Sequence, residues 1–366
     1  MIRPWWRTAA VVLTLLAILG LTACSASPLS ANPAATWPAP ARLTPEVSAT
    51  PTPLPAAAPS PSPTATATVT PTATATPTTQ PQPTLTPTLA PAVAITGEIE
   101  HVVIISIDGL RPDAMAQADT PNLDALRRQG AYSPTAQSVL PSVTLVNHAS
   151  MLSGMSPAKH GIDWNDYQPE AGYVNGPTVF NVAHDAGLST AMVVGKPKLE
   201  QLARPGSVDN YIYAGFLDGQ VVSQAVEVIQ GGLPDLLFIH LPDVDTAGHA
   251  IGWMSVGQLL VVSRTDGFIG ELVAVLEDGG YLGSTLLIIT ADHGGVDRAH
   301  GGDSPEEMTI PWLAVGPGVP VGVTLQSNIT TYDTAATALY ALHLPLPPEW
   351  DGRPVLEIFE DAAAKD

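Results

Sequence analysis

The sequence predicts an α/β fold, a mainly parallel central sheet with helices on both faces, and three observations carry that prediction. From His101 onward, short apolar runs of strand length alternate with longer runs of helical character, the pattern of strand–helix–strand units. The apolar runs are continuous rather than alternating, as strands buried on both faces require. Three of them are followed closely by an acid, Asp108, Asp245 and Asp292. In open parallel sheets functional groups gather beyond the carboxyl ends of the strands, so acids at three strand ends mark a candidate site.

The elements follow in order. Val102 to Ile107 is a buried strand running into Asp108. Pro121 to Gln129 is a helix with proline at its start and Gly130 as its stop. Thr144 to Leu152 is a helix that closes before Gly154, and Val179 to Ala186 is another, capped by Gly187. Further strands are expected at Ala191 to Val194, Leu236 to His240, Leu286 to Thr290 and Trp312 to Val315. Helices are expected at Gln220 to Ile229, Val256 to Glu277 and Thr334 to Leu342. No internal repeat and no glycine-rich nucleotide loop of the strand-to-helix type is present in this part.

The chain divides at about residue 97. Before it, the charged residues are only Arg3, Arg7, Arg42 and Glu46. After it, 33 acidic and 11 basic residues concentrate the whole-chain charge of −20. Such a surface disfavours binding along nucleic acid or flat on anionic lipid. Metal ions can still reverse the field inside a cleft, so a small anionic substrate is compatible with it.

Arg3 and Arg7 precede a short apolar core, Ala9 to Gly20, that ends in Leu21-Thr22-Ala23-Cys24. This arrangement resembles a bacterial lipoprotein signal. The resemblance implies that residues 1–24 are a signal segment and that Cys24, the single cysteine, carries the lipid and anchors the protein to a membrane outside the cytoplasm. Residues 25–97 are a Pro/Thr/Ala-rich stretch that cannot bury a core and reads as a disordered tether. Fully extended it would reach on the order of 200 Å. Residues 98–366 form the expected catalytic domain.

Within that domain the chemistry-bearing residues are aspartates and histidines. Asp245 and His249 lie four residues apart in D-T-A-G-H, with Gly248 expected to allow a tight local backbone so that both face one cation. Asp292 and His293 adjoin at a strand terminus in A-D-H-G, and His300 follows on a glycine-rich loop. With Asp108 these make six carboxylate and imidazole donors, the complement of a two-metal hydrolase. Thr144 stands at a helix start, where backbone N–H groups favour anionic oxygens. Asp243, His240, Asn147, His148, His101, His160, His184 and His343 are expected to be structural or solvated, and the Met and Trp residues near 253 to form core or pocket wall.

The order of these segments resembles the alkaline phosphatase superfamily, and within it the type I phosphodiesterase and nucleotide pyrophosphatase family. The likeness runs from about Val102 to the end of the chain. It covers I-S-I-D-G-L-R-P-D, T-P-N-L-D-A-L, P-S-V-T-L-V-N-H, K-H-G-I-D-W-N, D-T-A-G-H, A-D-H-G and a distal H-G. The resemblance implies an alkaline-phosphatase-like fold, with one metal on Asp245, His249 and His300 and a second on Asp108, Asp292 and His293. It implies Thr144 as the nucleophile of a phospho-threonine intermediate, and Asn165 as an amide donor to a phosphoryl oxygen. Two divalent ions are expected, zinc first, with Mn or Fe fitting the same donors.

Within this superfamily a sulfatase needs a C/S-x-P-x-R string, which is lacking at Thr144. No basic residue stands near Thr144 in sequence, and that favours a small phosphodiester or pyrophosphate substrate over a monoester. Six residues separate His293 from His300 where larger relatives carry a long insertion, and this compactness leaves nucleotide specificity open. Alternatives are a phosphomonoesterase, a phosphonate hydrolase or a phosphoryl-group transferase, signalled by Lys196, Lys198 or Arg298 pointing into the pocket. A binding module with a vestigial metal site is a third class.

Overall fold

The structure is a computed structural model that describes residues 98–359. The expected signal segment, Cys24 and the tether lie outside the described residues. Eight strands form one sheet: β1 (His101–Ile107), β2 (Ala131–Gln137), β3 (Thr190–Val194), β4 (Asn210–Tyr213), β5 (Leu236–Leu241), β6 (Thr285–Thr290), β7 (Thr309–Val315) and β8 (Val323–Thr324). Their order is β4-β3-β5-β1-β6-β7-β2-β8. The five strands from β4 to β6 are all parallel, β7 runs antiparallel to both its neighbours, and β8 is parallel to β2.

The apolar runs produce this centre directly. Every residue of β5 and β6 is buried, so both sheet faces are covered there, as continuous hydrophobicity predicts. In β1, Ile104 sits between Phe238 and Ile288 in the register of its two neighbours. Since β1 is central and parallel to both, its carboxyl end opens between those of β5 and β6. The expected strands and helices all form, with ends shifted by a few residues.

Three strands were not legible. In β2, A-Y-S-P-T-A-Q is largely polar and contains Pro134, and the pairing with β7 shifts register between Ser133 and Ala136, the kind of irregularity that admits a proline. Edge strand β4 is four residues long and partly exposed, and β8 is two residues long. Gly130 ends the helix Pro121–Gln129 as expected, in extended backbone; a Cβ there would lie 2.1 Å from the Ala314 carbonyl oxygen of β7. Close approach between chain segments is what requires glycine at this point.

The long helix Val256–Asp278 braces the sheet and also caps a neighbour. Thr120 makes no side-chain cap for the helix Pro121–Gln129. Asp266, from the long helix, instead accepts from the backbone N–H groups of Asn122 and Leu123 at 3.1 and 2.7 Å, satisfying orphan donors from outside the helix.

Asp218, at the start of the helix Asp218–Gly231, is fully buried; it accepts from the Asp243 N–H at 2.9 Å and from Thr265 at 2.5 Å. Burial, and then the neighbouring Asp243 carboxylate, push its carboxyl up to about 7. The folded state therefore holds a proton that the unfolded chain has lost, and stability declines as pH rises from about 4 through about 7. Asp218→Asn keeps both hydrogen-bond positions without the charge. It should raise the melting temperature by a few degrees at pH 8 and by much less at pH 5; calorimetry at the two pH values checks this, and an equal shift at both would refute it.

Candidate active site

Four neighbouring strands deliver the site residues. Asp108 follows β1. Asp292 and His293 follow β6. Asp245 and His249 lie on the helix Asp243–Ile251 that follows β5, and Lys196 and Lys198 follow β3. The helix Asp243–Ile251 corrects one expectation: D-T-A-G-H is helical, and four residues bring Asp245 and His249 onto one face, one turn apart. Gly248 serves packing here, since a Cβ on it would sit about 2.5 Å from the Trp253 ring. Gly295 meets the same ring atoms of that indole, whose N–H donates to the Gly109 carbonyl at 2.9 Å.

The protonation of three histidines can be read from their partners. Nδ1 lies 3.0 Å from the Arg298 carbonyl oxygen in His249, 2.8 Å from that of Gly294 in His293 and 2.8 Å from that of Ser142 in His300. A carbonyl oxygen can only accept, so each Nδ1 carries the proton and each neutral ring turns its Nε2 lone pair inward. Those lone pairs meet other acceptors. His249 Nε2 and His300 Nε2 are 3.1 Å apart, and they lie 3.4 and 3.5 Å from Asp245 Oδ1. His293 Nε2 lies 3.4 Å from Asp108 Oδ1 and 3.3 Å from Asp292 Oδ2. These three carboxylate oxygens are buried and accept no hydrogen bond.

Acceptors facing acceptors in a dry site repel unless a cation lies between them. The donor set fits divalent metal. Asp245, His293 and His300 can share one ion, and Asp108, Asp292 and His293 another; His249 stands beside the first group. Burial lowers His293, and burial followed by the neighbouring His293 lowers His300 to about 4. Both rings are therefore neutral, as ligation requires. His249, more exposed, is raised by its contact with Asp245, so a proton competes for its Nε2.

The carboxylates differ in their surroundings. Burial opposes the charge on Asp108, but Lys196 and His240 overcome it and hold the carboxyl well below its ordinary range. Asp292 is pushed well above it, by burial and by Asp108. His240 Nε2 donates to Asp108 Oδ2 at 2.9 Å while its Nδ1 accepts from the Gly195 N–H at 3.3 Å. It orients Asp108 from behind, and its lone pair is already taken.

Thr144 opens the helix Thr144–Ser153, its hydroxyl 3.4 Å from His293 Nε2 and 3.3 Å from Lys196 Nζ. The loop before it is tied down twice. Asn147 donates to the carbonyls of Val139, Pro141 and Val143, and Ser142 bonds Gly301 N–H and Gly302 carbonyl on the His300 loop. Asn165 Oδ1 accepts from the Leu145 N–H at 3.0 Å and from Lys198 Nζ at 2.8 Å.

Thr144, Asn165 and the six expected ligands thus converge on one place. His148, bonded to Ser106 Oγ and the Thr144 carbonyl, braces the helix as expected. The expectation that no cation lies near Thr144 fails. Lys196 also contacts Asp108 at 2.7 Å and Asp245 at 2.6 Å, brought there by the β3 terminus from fifty residues away in sequence. Lys196 and Lys198, two of the three cations singled out in the sequence as signals of the alternative reactions, thus both reach the site. His240 and Trp253 take the structural and wall roles expected of them, and Ser142 is a supporting group that no local pattern announced.

A profile of the family described as "Type I phosphodiesterase / nucleotide pyrophosphatase" matches residues 102–301, the span that holds Asp108, Thr144 and His300. The chain belongs to this family. An uncharacterised pyrophosphatase/phosphodiesterase of Schizosaccharomyces pombe is 28% identical over 214 residues, 53% of this chain and 44% of that protein. Venom phosphodiesterase 2 of Crotalus adamanteus is 26% identical over 223 residues, 54% of this chain and 27% of its own length. The chain thus spans less than half the length of these relatives. Among solved structures, murine ectonucleotide pyrophosphatase / phosphodiesterase 5, an inactive variant in complex with AMP, superposes with a TM-score of 0.59 at 16% identity, covering 68% of this chain and 96% of that one. A 2-O GAG sulfatase gives 0.62 at 15%, covering 72% and 75%. These structural likenesses establish an alkaline-phosphatase-like fold.

If His240 orients Asp108 for a metal ion, His240→Leu should weaken metal binding about 10- to 100-fold, whereas Thr144→Ala should leave it within a few-fold. Competition against a chromogenic chelator measures both. Equal affinity in the His240 variant and the parent chain would contradict the role.

Proposed function

We propose that this family member is an extracytoplasmic, metal-dependent hydrolase of phosphodiester or pyrophosphate bonds that works through phosphorylation of Thr144. The observation that carries the reading is the convergence of imidazole lone pairs and orphaned carboxylate oxygens around His293, whose Nε2 lies 3.4 Å from the Thr144 hydroxyl. Location outside the cytoplasm is supported by the lipoprotein-type sequence ending at Cys24.

Two divalent ions, most suitably zinc, held by Asp245, His249 and His300 and by Asp108, Asp292 and His293, would supply Lewis acidity that makes a threonine hydroxyl a competent nucleophile. The residues of the chain do the rest. Lys196 donates to Thr144 Oγ1 and favours its ionised form. Burial of Thr144 excludes bulk water from the attacking oxygen. Asn165 has its carbonyl oxygen engaged by Leu145 and Lys198, so its amide nitrogen is the atom free to donate to a phosphoryl oxygen. Attack by Thr144 on phosphorus displaces one ester group with its electron pair, and water then cleaves the Thr144 adduct, releasing the phosphomonoester that carries the remaining group and restoring the hydroxyl.

Turnover of bis-p-nitrophenyl phosphate by the zinc-loaded chain should vanish with chelation and fall on the order of a thousandfold or more in Thr144→Ala. Mass spectrometry of acid-quenched enzyme should find a nitrophenyl-phosphoryl adduct on Thr144. Full activity in the Thr144 variant would refute the mechanism.

A further inference from the structure

The cradle around Thr144 carries more positive charge than a diester calls for, and this inference rests on the phosphoryl-transfer reading above. Lys196 is saturated: its ammonium group has three N–H donors, and Asp108, Asp245 and Thr144 take them. Lys198 is different. It spends one donor on Asn165 Oδ1 at 2.8 Å, and among the described residues nothing else accepts from it. Asn165 Oδ1 faces two donors, Leu145 N–H and Lys198, which fixes the orientation of that amide and leaves its NH2 unpartnered among the described residues. Unused donors on Lys198 and Asn165 therefore stand side by side, next to the nucleophile.

Charge balance points the same way. Three carboxylates and two divalent ions leave one positive charge, one short of a diester together with a threonine alkoxide. The two lysines raise it to match a phosphoryl dianion together with a threonine alkoxide. Burial, then the proximity of Lys196, lowers the Lys198 ammonium to about 8 against the pull of the three carboxylates.

We propose that Lys196 and Lys198 complete a cradle for a terminal phosphoryl group, with Lys198 the residue that selects it, so that substrates ending in phosphate are favoured over internal diesters. The group arrives either as a phosphomonoester or as the terminal phosphate of a pyrophosphate. The Thr144 Oγ–P bond forms as the bond from phosphorus to the leaving oxygen breaks. That oxygen keeps the electron pair and gains, in net terms, the proton lost by Thr144. Water then cleaves the phospho-threonine to inorganic phosphate.

The test measures kcat/KM of the zinc-loaded full chain on p-nitrophenyl phosphate, on ADP by phosphate release, and on bis-p-nitrophenyl phosphate. Parent, Lys198→Ala and Lys198→Arg proteins are compared, with inorganic phosphate as inhibitor. The ratio of the better terminal-phosphoryl substrate to the diester should fall about tenfold or more in Lys198→Ala, as loss of a charged hydrogen bond implies. Inhibition by phosphate should weaken in parallel, and Lys198→Arg should restore both. Preference for p-nitrophenyl phosphate identifies monoesters as the source, and preference for ADP identifies pyrophosphates; both support the cradle. A ratio and a phosphate inhibition unmoved in Lys198→Ala, while chelation and Thr144→Ala still abolish turnover, would overturn the lysine proposal alone. Turnover indifferent to chelation and to Thr144→Ala would overturn the underlying mechanism as well.

Discussion

Three buried carboxylates and three inward-turned imidazole lone pairs share one small volume at the carboxyl edge of the sheet, and most of the local structure follows from keeping them there. Each carboxylate withdrawn from water costs several kcal/mol unless it is compensated. His240 and Lys196 offset part of that cost for Asp108, and Lys196 part of it for Asp245. The oxygens left over point at the ring nitrogens. The arrangement calls for positive charge between them, and divalent cations would supply that charge.

Holding these groups is the work of backbone carbonyls and one indole. Ser142, Gly294 and Arg298 fix three ring orientations by accepting from Nδ1. Trp253, wedged between Gly248 and Gly295 and packed edge-on against His249 and His300, locks the ligand helix to the loop after β6. Ser142 links the nucleophile loop to the His300 loop by its own carbonyl and hydroxyl. Nucleophile and ligands are thus positioned by one connected set of contacts.

The parallel centre of the sheet was legible because strands buried on both faces need uninterrupted apolar sequence, as in V-V-I-I-S-I and T-L-L-I-I-T. The donors were legible because side chains beyond strand ends keep a fixed relation to the sheet. What escaped depended on contact across distance. Pro134 disguised β2, whose pairing is irregular where the proline falls. Gly130 and Gly248 looked like conformational devices and are sites of close approach. Lys196, a named candidate whose place was open, is remote from Thr144 in sequence; the adjacency of β3, β5 and β1 brings it to Asp108 and Asp245, and the helix Thr144–Ser153 sets Thr144 against it. That single displacement altered the electrostatic reading of the substrate pocket.

The most direct test of the account is a crystal structure of the zinc-loaded protein with anomalous data at the zinc edge. Two peaks are predicted, one among Asp245, His249 and His300 and one among Asp108, Asp292 and His293, each ligated through histidine Nε2. A structure saturated with zinc that shows no peak in this cluster, or ligation through Nδ1 with the carbonyl contacts broken, would contradict it.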